Sequence, residues 1–192
     1  MIVPNKQNLL LLKKKSKTIK SGMKLLKEKR TGLVALFVRL AKEGKALESK
    51  VSLLQDNVLE AYTEAMSFIS ISGLVDNLPS QAKLDLKVEK KRISGVYLEN
   101  FTIDILAPVR VELKQTLTNS LSQFADLFPD LLMLIQLKMN VEKISIEIEK
   151  TNRLINNLEK KTEEIMQQTK YIKRVLSEKE NFEKATLIKI FG

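Results

Sequence analysis

The stretch IKSGMKLLKEKRTGLVALFVRL, residues 19–40, decides the fold because its apolar residues recur every three or four positions. That spacing averages 3.5 residues, the repeat of a coiled-coil seam. The pattern extends in both directions without a proline after Pro4 and predicts an N-terminal helix of about 60 residues, ~90 Å long. The seam positions are Leu12, Ser16, Ile19, Met23, Leu26, Arg30, Leu33, Phe37, Leu40, Gly44, Leu47, Val51, Leu54, Val58, Ala61, Ala65 and Phe68.

A second seam with the same spacing runs toward the C-terminus. Its positions are Leu134, Leu137, Val141, Ile144, Ile148, Thr151, Ile155, Leu158, Thr162, Ile165, Thr169, Ile172 and Leu176. Threonine can be buried there if its hydroxyl bonds a carbonyl in the preceding turn. We expect the two seams to pair as an antiparallel two-helix coiled coil within one chain. Pairing between chains is the structural alternative.

The segment between the seams has the pattern of β-structure. Leu84, Leu86 and Val88 alternate with charged residues, which is strand periodicity. Ile93-Ser94-Gly95-Val96 predicts a turn, and the chain from Val96 to Ile105 is rich in β-branched and aromatic residues. The sequence therefore predicts an all-α-dominated fold with a small hairpin from about Leu84 to Ile105.

The predicted organisation is one elongated domain with three segments. An N-terminal shaft helix spans residues 1–70, a middle insert with the hairpin spans 71–110, and a C-terminal shaft helix spans 111–192, starting at about Val111. Pro129 lies inside the last helix and predicts either a kink or a restart there, with Asp126 as the cap of a restarted helix.

Composition excludes several classes of site. The 192 residues include no Cys, His or Trp, so a disulfide scaffold, a thiolate or imidazole metal site and a histidine-dependent triad are excluded. The phosphate-loop pattern GxxxxGK[ST] is absent. Carboxylate pairs such as Glu163/Glu164 fall on exposed helix faces. We therefore predict no catalytic, cofactor-binding or metal-binding residues, and no enzyme activity of the chain itself.

Positive charge is concentrated near the N-terminus. The formal net charge is +10, and the first 50 residues hold fourteen Lys and Arg against three Glu. Such a segment suits an acidic protein surface or a nucleic acid, although a merely solvated helix face is the commonest outcome. Base-stacking aromatics are absent from it, which disfavours single-stranded nucleic acid. No run of about 18 apolar residues predicts a membrane span.

Two motifs carry a resemblance to a known family. Gly22-Met23-Lys24-Leu25-Leu26-Lys27-Glu28-Lys29-Arg30 resembles the G-x-x-L-L-K-x-K-R-D signature of the D subunit of V-type and archaeal-type rotary ATPases. Thr151 to Glu159 resembles the family's C-terminal T-x-R-R-V-N-A-L-E pattern. Thr31 replaces the Asp that ends the first signature, Leu154 replaces the second Arg of the C-terminal pattern, and the family's proline a few residues past Leu158-Glu159 is missing. The matching shaft positions are Gly22, Leu25, Leu26, Lys27, Lys29, Arg30, Arg153, Asn156, Leu158 and Glu159.

The resemblance implies the central-stalk rotor axle of a V-type or A-type ATPase that couples ATP synthesis or hydrolysis to proton or other ion transport. It implies the F subunit of the central stalk, the catalytic A/B-type hexamer and the stalk subunit above the membrane ring as partners, with no small-molecule ligand and no specific nucleic acid. The expected location is cytoplasmic, peripheral to a membrane-bound complex. A basic coiled-coil arm that binds nucleic acid and a generic coiled-coil adaptor are the alternatives.

Overall fold

The computed structural model describes residues 3–68, 84–105 and 115–191. Helix α1 spans Lys6–Phe68, strand β1 Leu84–Ile93, strand β2 Val96–Ile105 and helix α2 Gln115–Phe191. The predicted fold class, two long helices that pack together and a small hairpin between them, is confirmed. The predicted end of the first helix near residue 70 and the start of the last at Val111 lie outside the described residues.

The chain forms two compact units. We call residues 1–32 with 148–192 the terminal unit, and residues 33–147 the hairpin unit. Each unit contains part of α1 and part of α2. The division into three sequential segments within one elongated domain stays a prediction.

Helix α1 begins with a capped turn. The Asn5 side chain accepts a hydrogen bond from the Asn8 backbone N–H at 2.6 Å, which satisfies one of the amides that lack a partner at a helix start. Asn8 in turn donates from its side chain to the Val3 carbonyl at 2.8 Å. Since no proline follows Pro4 within α1, the cap is followed by 63 uninterrupted helical residues.

In the terminal unit the two helices run antiparallel. Lys6 forms an ion pair with Glu180 at 3.1 Å, and Lys27 with Glu159 at 2.8 Å, so residue numbers rise on α1 as they fall on α2. Thr162 donates its hydroxyl to the Leu158 carbonyl at 2.8 Å, as predicted for threonine on this seam. The buried residues of this core are Leu12, Thr151, Ile155 and Ile172.

The hairpin unit has a more apolar core. Val51 of α1 and Leu127 and Leu134 of α2 form a buried cluster. Partly buried Leu47, Leu54, Val58 and Leu131 pack against that cluster. Two ion pairs join the helices at the edge of this core, Lys50–Asp130 at 2.6 Å and Lys138–Glu48 at 2.7 Å.

Helix α2 continues through Pro129. The predicted restart is therefore wrong, and exposed Asp126 caps no new helix. Proline removes one backbone hydrogen bond from a helix interior, but Leu127 and Leu131 on either side both pack in the core cluster. Burial of these leucines favours continuation of the helix across the proline.

The hairpin is regular and closes where the sequence predicts. All ten residues of β1 pair with β2, from Leu84 opposite Ile105 to Ile93 opposite Val96. The two turn residues, Ser94 and Gly95, have φ angles of 51° and 86°. Positive φ at both positions is the geometry of a type I′ turn, whose twist matches that of the flanking strands.

Candidate functional site

The terminal unit brings the two signature segments together. Lys27 from the first segment binds Glu159 from the second at 2.8 Å. One turn along α1, the Arg30 guanidinium donates to the Asn152 side-chain oxygen at 3.3 Å. Arg30 occupies a predicted seam position, and this contact gives its half-buried charge a polar partner. The sequence pattern did not identify Asn152 as that partner.

The remaining signature residues are divided between the helix interface and the surface. Leu25 is 67% exposed, and the Arg153 guanidinium pairs with Glu149 on its own helix. Asn156 is exposed, whereas the half-buried set comprises Gly22, Leu26, Lys29 and Leu158. Leu25 therefore lies largely outside the core of the terminal unit.

The predicted seam residues whose burial the structure describes all lie at buried or half-buried positions, and Ala65 and Phe68 fall outside that description. Leu33, Ile144, Ile155 and Ile172 are buried. The half-buried ones are Ile19, Met23, Phe37, Leu40, Leu47, Val141, Ile148 and Ile165. Their assignment to one continuous seam in each helix stays a prediction.

The glycines within α1 are not needed for internal packing. A Cβ atom built on Gly22 or Gly32 meets nothing within 4 Å, and one on Gly44 would lie 3.9 Å from the Leu137 Cβ, an ordinary contact. Glycine in a helix interior costs about 1 kcal/mol relative to alanine. Close packing against the described part of the chain therefore does not explain these glycines.

An open groove of about 520 Å³ runs beside α1 in the terminal unit. Lys20, Lys24 and Lys27 line it, and Met23 contributes apolar surface. Glu28 and Thr31 complete the lining. The groove is thus rich in ammonium groups, and a single carboxylate lines it.

The hairpin is held to α2 by side chains that act as a substitute for a neighbouring strand. Asn140 accepts from the Glu99 N–H at 2.9 Å and donates to the Glu99 carbonyl at 2.8 Å. One turn earlier, the Gln136 side-chain oxygen accepts from the Phe101 N–H at 2.7 Å. These bonds satisfy backbone groups on the outer edge of β2, which would otherwise be costly to bury.

Sequence reasoning missed this docking set, although a signal for it exists. Lys143 belongs to the same set, since it forms an ion pair with Glu99 at 2.8 Å. Gln136, Asn140 and Lys143 are spaced four and three residues apart, which places them on one helix face. They interrupt a segment that is otherwise apolar at Leu134, Leu137 and Ile144. A polar stripe of that spacing inside an apolar helix indicates that the stripe faces backbone or polar groups of another element.

Three ion pairs shift the pKa of a titratable group. A hydrogen bond from Lys143 lowers the pKa of the Glu99 carboxyl, and one from Lys138 lowers the pKa of Glu48. Glu178, hydrogen-bonded to Arg174, raises the pKa of that guanidinium. Each shift favours the charged form of its group at neutral pH, so these pairs stay ionised.

No group of three or more Asp or Glu residues that could hold a metal ion occurs among residues 3–68, 84–105 and 115–191. Within the same ranges, neither helix is long and apolar enough to cross a membrane. The polar contacts described in this section are ion pairs and hydrogen bonds that join the two helices to each other and helix α2 to the hairpin.

Comparison with known proteins identifies the family. The family model for the ATP synthase D subunit matches residues 8–191. The chain belongs to the ATP synthase D-subunit family. This match covers both signature segments, the hairpin and both helices, so the predicted resemblance to the D subunit of V-type and archaeal-type ATPases is confirmed.

Individual proteins similar to this chain are also D subunits of V-type or A-type ATP synthases. The chain is 30% identical to the V-type ATP synthase D subunit of Thermoanaerobacter sp. (strain X514), over 97% of this chain and 93% of the relative. It is 31% identical to the A-type ATP synthase D subunit of Sulfurisphaera tokodaii, over 93% and 86%. The Enterococcus faecalis V-type protein is 28% identical, over 97% and 93%. As a member of this D-subunit family, the chain is a non-catalytic subunit, as predicted.

Proposed function

We propose that the chain is the central-stalk rotor shaft of a V-type or A-type ATPase and transmits torque between the catalytic hexamer and the membrane ion-translocating ring. The observation that carries the proposal is the antiparallel pairing of both ends of the chain in the terminal unit, through Lys6–Glu180 and Lys27–Glu159. A shaft must resist bending and twisting, and two paired helices that contain no proline within this unit suit that requirement.

The proposed partners are the F subunit of the central stalk, the catalytic A/B-type hexamer and the stalk subunit above the membrane ring, in a cytoplasmic complex peripheral to the membrane. The terminal unit would enter the hexamer, since it carries the net positive charge of the chain. Exposed ion pairs contribute only ~0–1 kcal/mol each. Contacts of this kind would therefore not favour one rotational position of the shaft strongly over the others. No small-molecule ligand and no specific nucleic acid are proposed.

The two alternatives receive less support. A generic adaptor would self-associate and lack a defined insert, whereas this chain pairs its own helices and forms a ten-residue hairpin ladder. A nucleic-acid arm would be expected to place aromatic side chains among its basic residues. In α1 the exposed lysines from Lys13 to Lys24 have no aromatic residue among them.

A reversible lock tests the proposal. Exposed Ser21 is changed to Cys in the naturally cysteine-free chain, and single cysteines are placed in the facing wall of the catalytic hexamer in the reconstituted complex. If the chain rotates, forming the disulfide stops ATP hydrolysis and reduction restores it. The control is Ser21→Cys with an unmodified hexamer. If the disulfide-linked complex keeps its full rate of ATP hydrolysis, the chain does not rotate during turnover and the proposal is wrong.

A further inference from the structure

A row of lysines follows one face of α1 in the terminal unit. Lys6, Lys13, Lys20 and Lys27 are each seven residues apart, and Lys17 and Lys24 lie between them at steps of four and three. Residues at this spacing share one helix face. We call Lys13, Lys17, Lys20 and Lys24 the lysine row.

The two ends of this face are neutralised by α2, but its middle is not. Lys6 pairs with Glu180 and Lys27 with Glu159, and in both pairs the residue numbers sum to 186. The same register sets Lys173 opposite Lys13 and Met166 opposite Lys20. Within the described part of the chain, no carboxylate lies in salt-bridge distance of the lysine row.

The open groove begins at the C-terminal half of the lysine row and continues to Thr31. Lys20 and Lys24 line it together with Met23, and Glu28 is the one carboxylate in its wall. All four lysines of the row are exposed. Met23 therefore gives the groove apolar surface beside Lys20 and Lys24. The lysines of the row repeat every three or four residues, about 5 Å along the helix axis.

We propose that the lysine row is the strip through which the terminal unit contacts an acidic helical segment of a partner protein, a proposal that rests on the proposed function. A helix with carboxylates every three or four residues repeats its charge at the spacing of the row. A protein partner is favoured over nucleic acid because the row has no aromatic residue among its lysines and the chain belongs to a family of ATP synthase subunits. Each lysine–carboxylate ion pair would be weak by itself. The row aligns several such pairs along one face of helix α1, so that one partner helix can form them together.

Zero-length cross-linking tests this assignment in the complete complex. The tagged full-length chain is purified with the subunits that accompany it and treated with a carbodiimide, which joins a lysine amine directly to a touching carboxylate. Mass spectrometry then identifies both residues. We expect products that link Lys13, Lys17, Lys20 or Lys24 to Asp or Glu on a helix of a partner subunit. Lys20→Gln with Lys24→Gln should abolish the products at those two positions.

The matched control changes Lys14 and Lys15, which are exposed and equally charged but lie off the row. Lys14→Gln with Lys15→Gln should leave the cross-links of the row unchanged, and circular dichroism should be the same for both variants.

If the chain co-purifies with ATP synthase subunits but the row links only to its own carboxylates, or links no better than Lys14 and Lys15, the assignment is wrong and the proposed function survives. If no ATP synthase subunit accompanies the chain, both proposals fail. Retention of a DNA duplex at physiological salt that depends on the row would instead identify a nucleic-acid arm.

Discussion

The terminal unit and the hairpin unit differ most in charge. The terminal unit contains twenty Lys and Arg against eight Asp and Glu, a net charge of +12, whereas the hairpin unit contains thirteen against fifteen, a net charge of −2. The positive charge of the whole chain therefore belongs to one unit. A net charge of that size supports association with surfaces of opposite sign and does not specify a fold.

The two units also differ in what holds them together. In the terminal unit the buried residues are spread along the helix pair and include Thr151, with Arg30 and Asn152 bonded between the helices. In the hairpin unit an apolar cluster at Val51 is supplemented by directed hydrogen bonds from Asn140 and Gln136 to the strand backbone. We infer that one unit meets partners through distributed charge, while the other fixes one element in a defined orientation.

The largest expected effect comes from a charge in either core. Ile172 of the terminal unit and Ile144 of the hairpin unit are both 0% exposed. Ile172→Asp and Ile144→Asp each bury a carboxylate without a partner and should destabilise the chain by several kcal/mol. Urea unfolding followed by circular dichroism measures both. Ile188→Asp, at a residue 71% exposed, is the control and should unfold like the natural chain. Equal stability of all three variants would contradict the described burial.

Removing the amide that docks the hairpin should have an intermediate effect. Asn140→Ala leaves the Glu99 N–H and carbonyl without their partners, which should cost about 1–3 kcal/mol. Hydrogen exchange at the Glu99 amide should accelerate, while amides of the terminal unit keep their protection. Asn156→Ala, at an exposed asparagine, serves as the comparison. Unchanged exchange at Glu99 would mean that Asn140 does not hold the strand.

Glycine replacement should stabilise both units. Gly22→Ala and Gly44→Ala add a Cβ without a clash, and each should raise the free energy of unfolding by about 1 kcal/mol. Unfolding of the isolated chain checks the sign. A destabilised Gly22→Ala chain would contradict the open space beside that residue. If Gly22→Ala is more stable but assembles poorly with ATP synthase subunits, while Gly44→Ala assembles normally, Gly22 serves a contact with a partner.

The smallest effect is a pH dependence confined to the acid range. Because Lys143 lowers the pKa of Glu99 in the folded state, the pair stabilises the hairpin unit fully above the ordinary value of 4.5 and loses this contribution as the pH falls through the lowered value. Lys143→Gln should therefore lower stability at neutral pH and flatten its fall with acid. Urea unfolding between about pH 3 and pH 7 measures the difference. Lys138→Gln, which removes the corresponding partner of Glu48, provides the comparison at a more exposed pair. A Lys143→Gln chain with the same acid profile as the natural chain would contradict this role of Glu99.

Much of the fold could be predicted from the sequence because its determinants are local and periodic. A 3.5-residue apolar repeat indicates a paired helix whatever its partner is. Ser94-Gly95 indicates a tight turn because glycine adopts positive φ at little cost, and the strands on either side alternate as β-structure requires. Pro129 was harder to interpret, since a proline ends a helix or is tolerated in it according to the packing of its neighbours.

The contacts between distant segments could not be predicted in the same way. Asn140 and Glu99 meet only because α2 and β2 are packed together, and either residue alone is typical of an exposed surface. The excess of lysine was visible, but the lysine row became distinct only when the register of Lys6–Glu180 and Lys27–Glu159 established which lysines α2 neutralises. Register between two helices depends on the sum of many similar apolar contacts, and no single residue specifies it.

The outer edge of β1 has a consequence for how the protein can be handled. Side chains of α2 bond the edge of β2, whereas within the described residues no segment pairs with the other edge of the two-stranded sheet. An open edge of ten residues can recruit a strand from another molecule, and lysines along such an edge oppose that recruitment. We therefore expect Lys87, Lys90, Lys91 and Arg92 of β1 to oppose sheet-mediated polymers in concentrated solutions of the chain. Replacing these residues with β-branched ones, in order to strengthen strand pairing, should therefore lower the solubility of the chain and promote fibres.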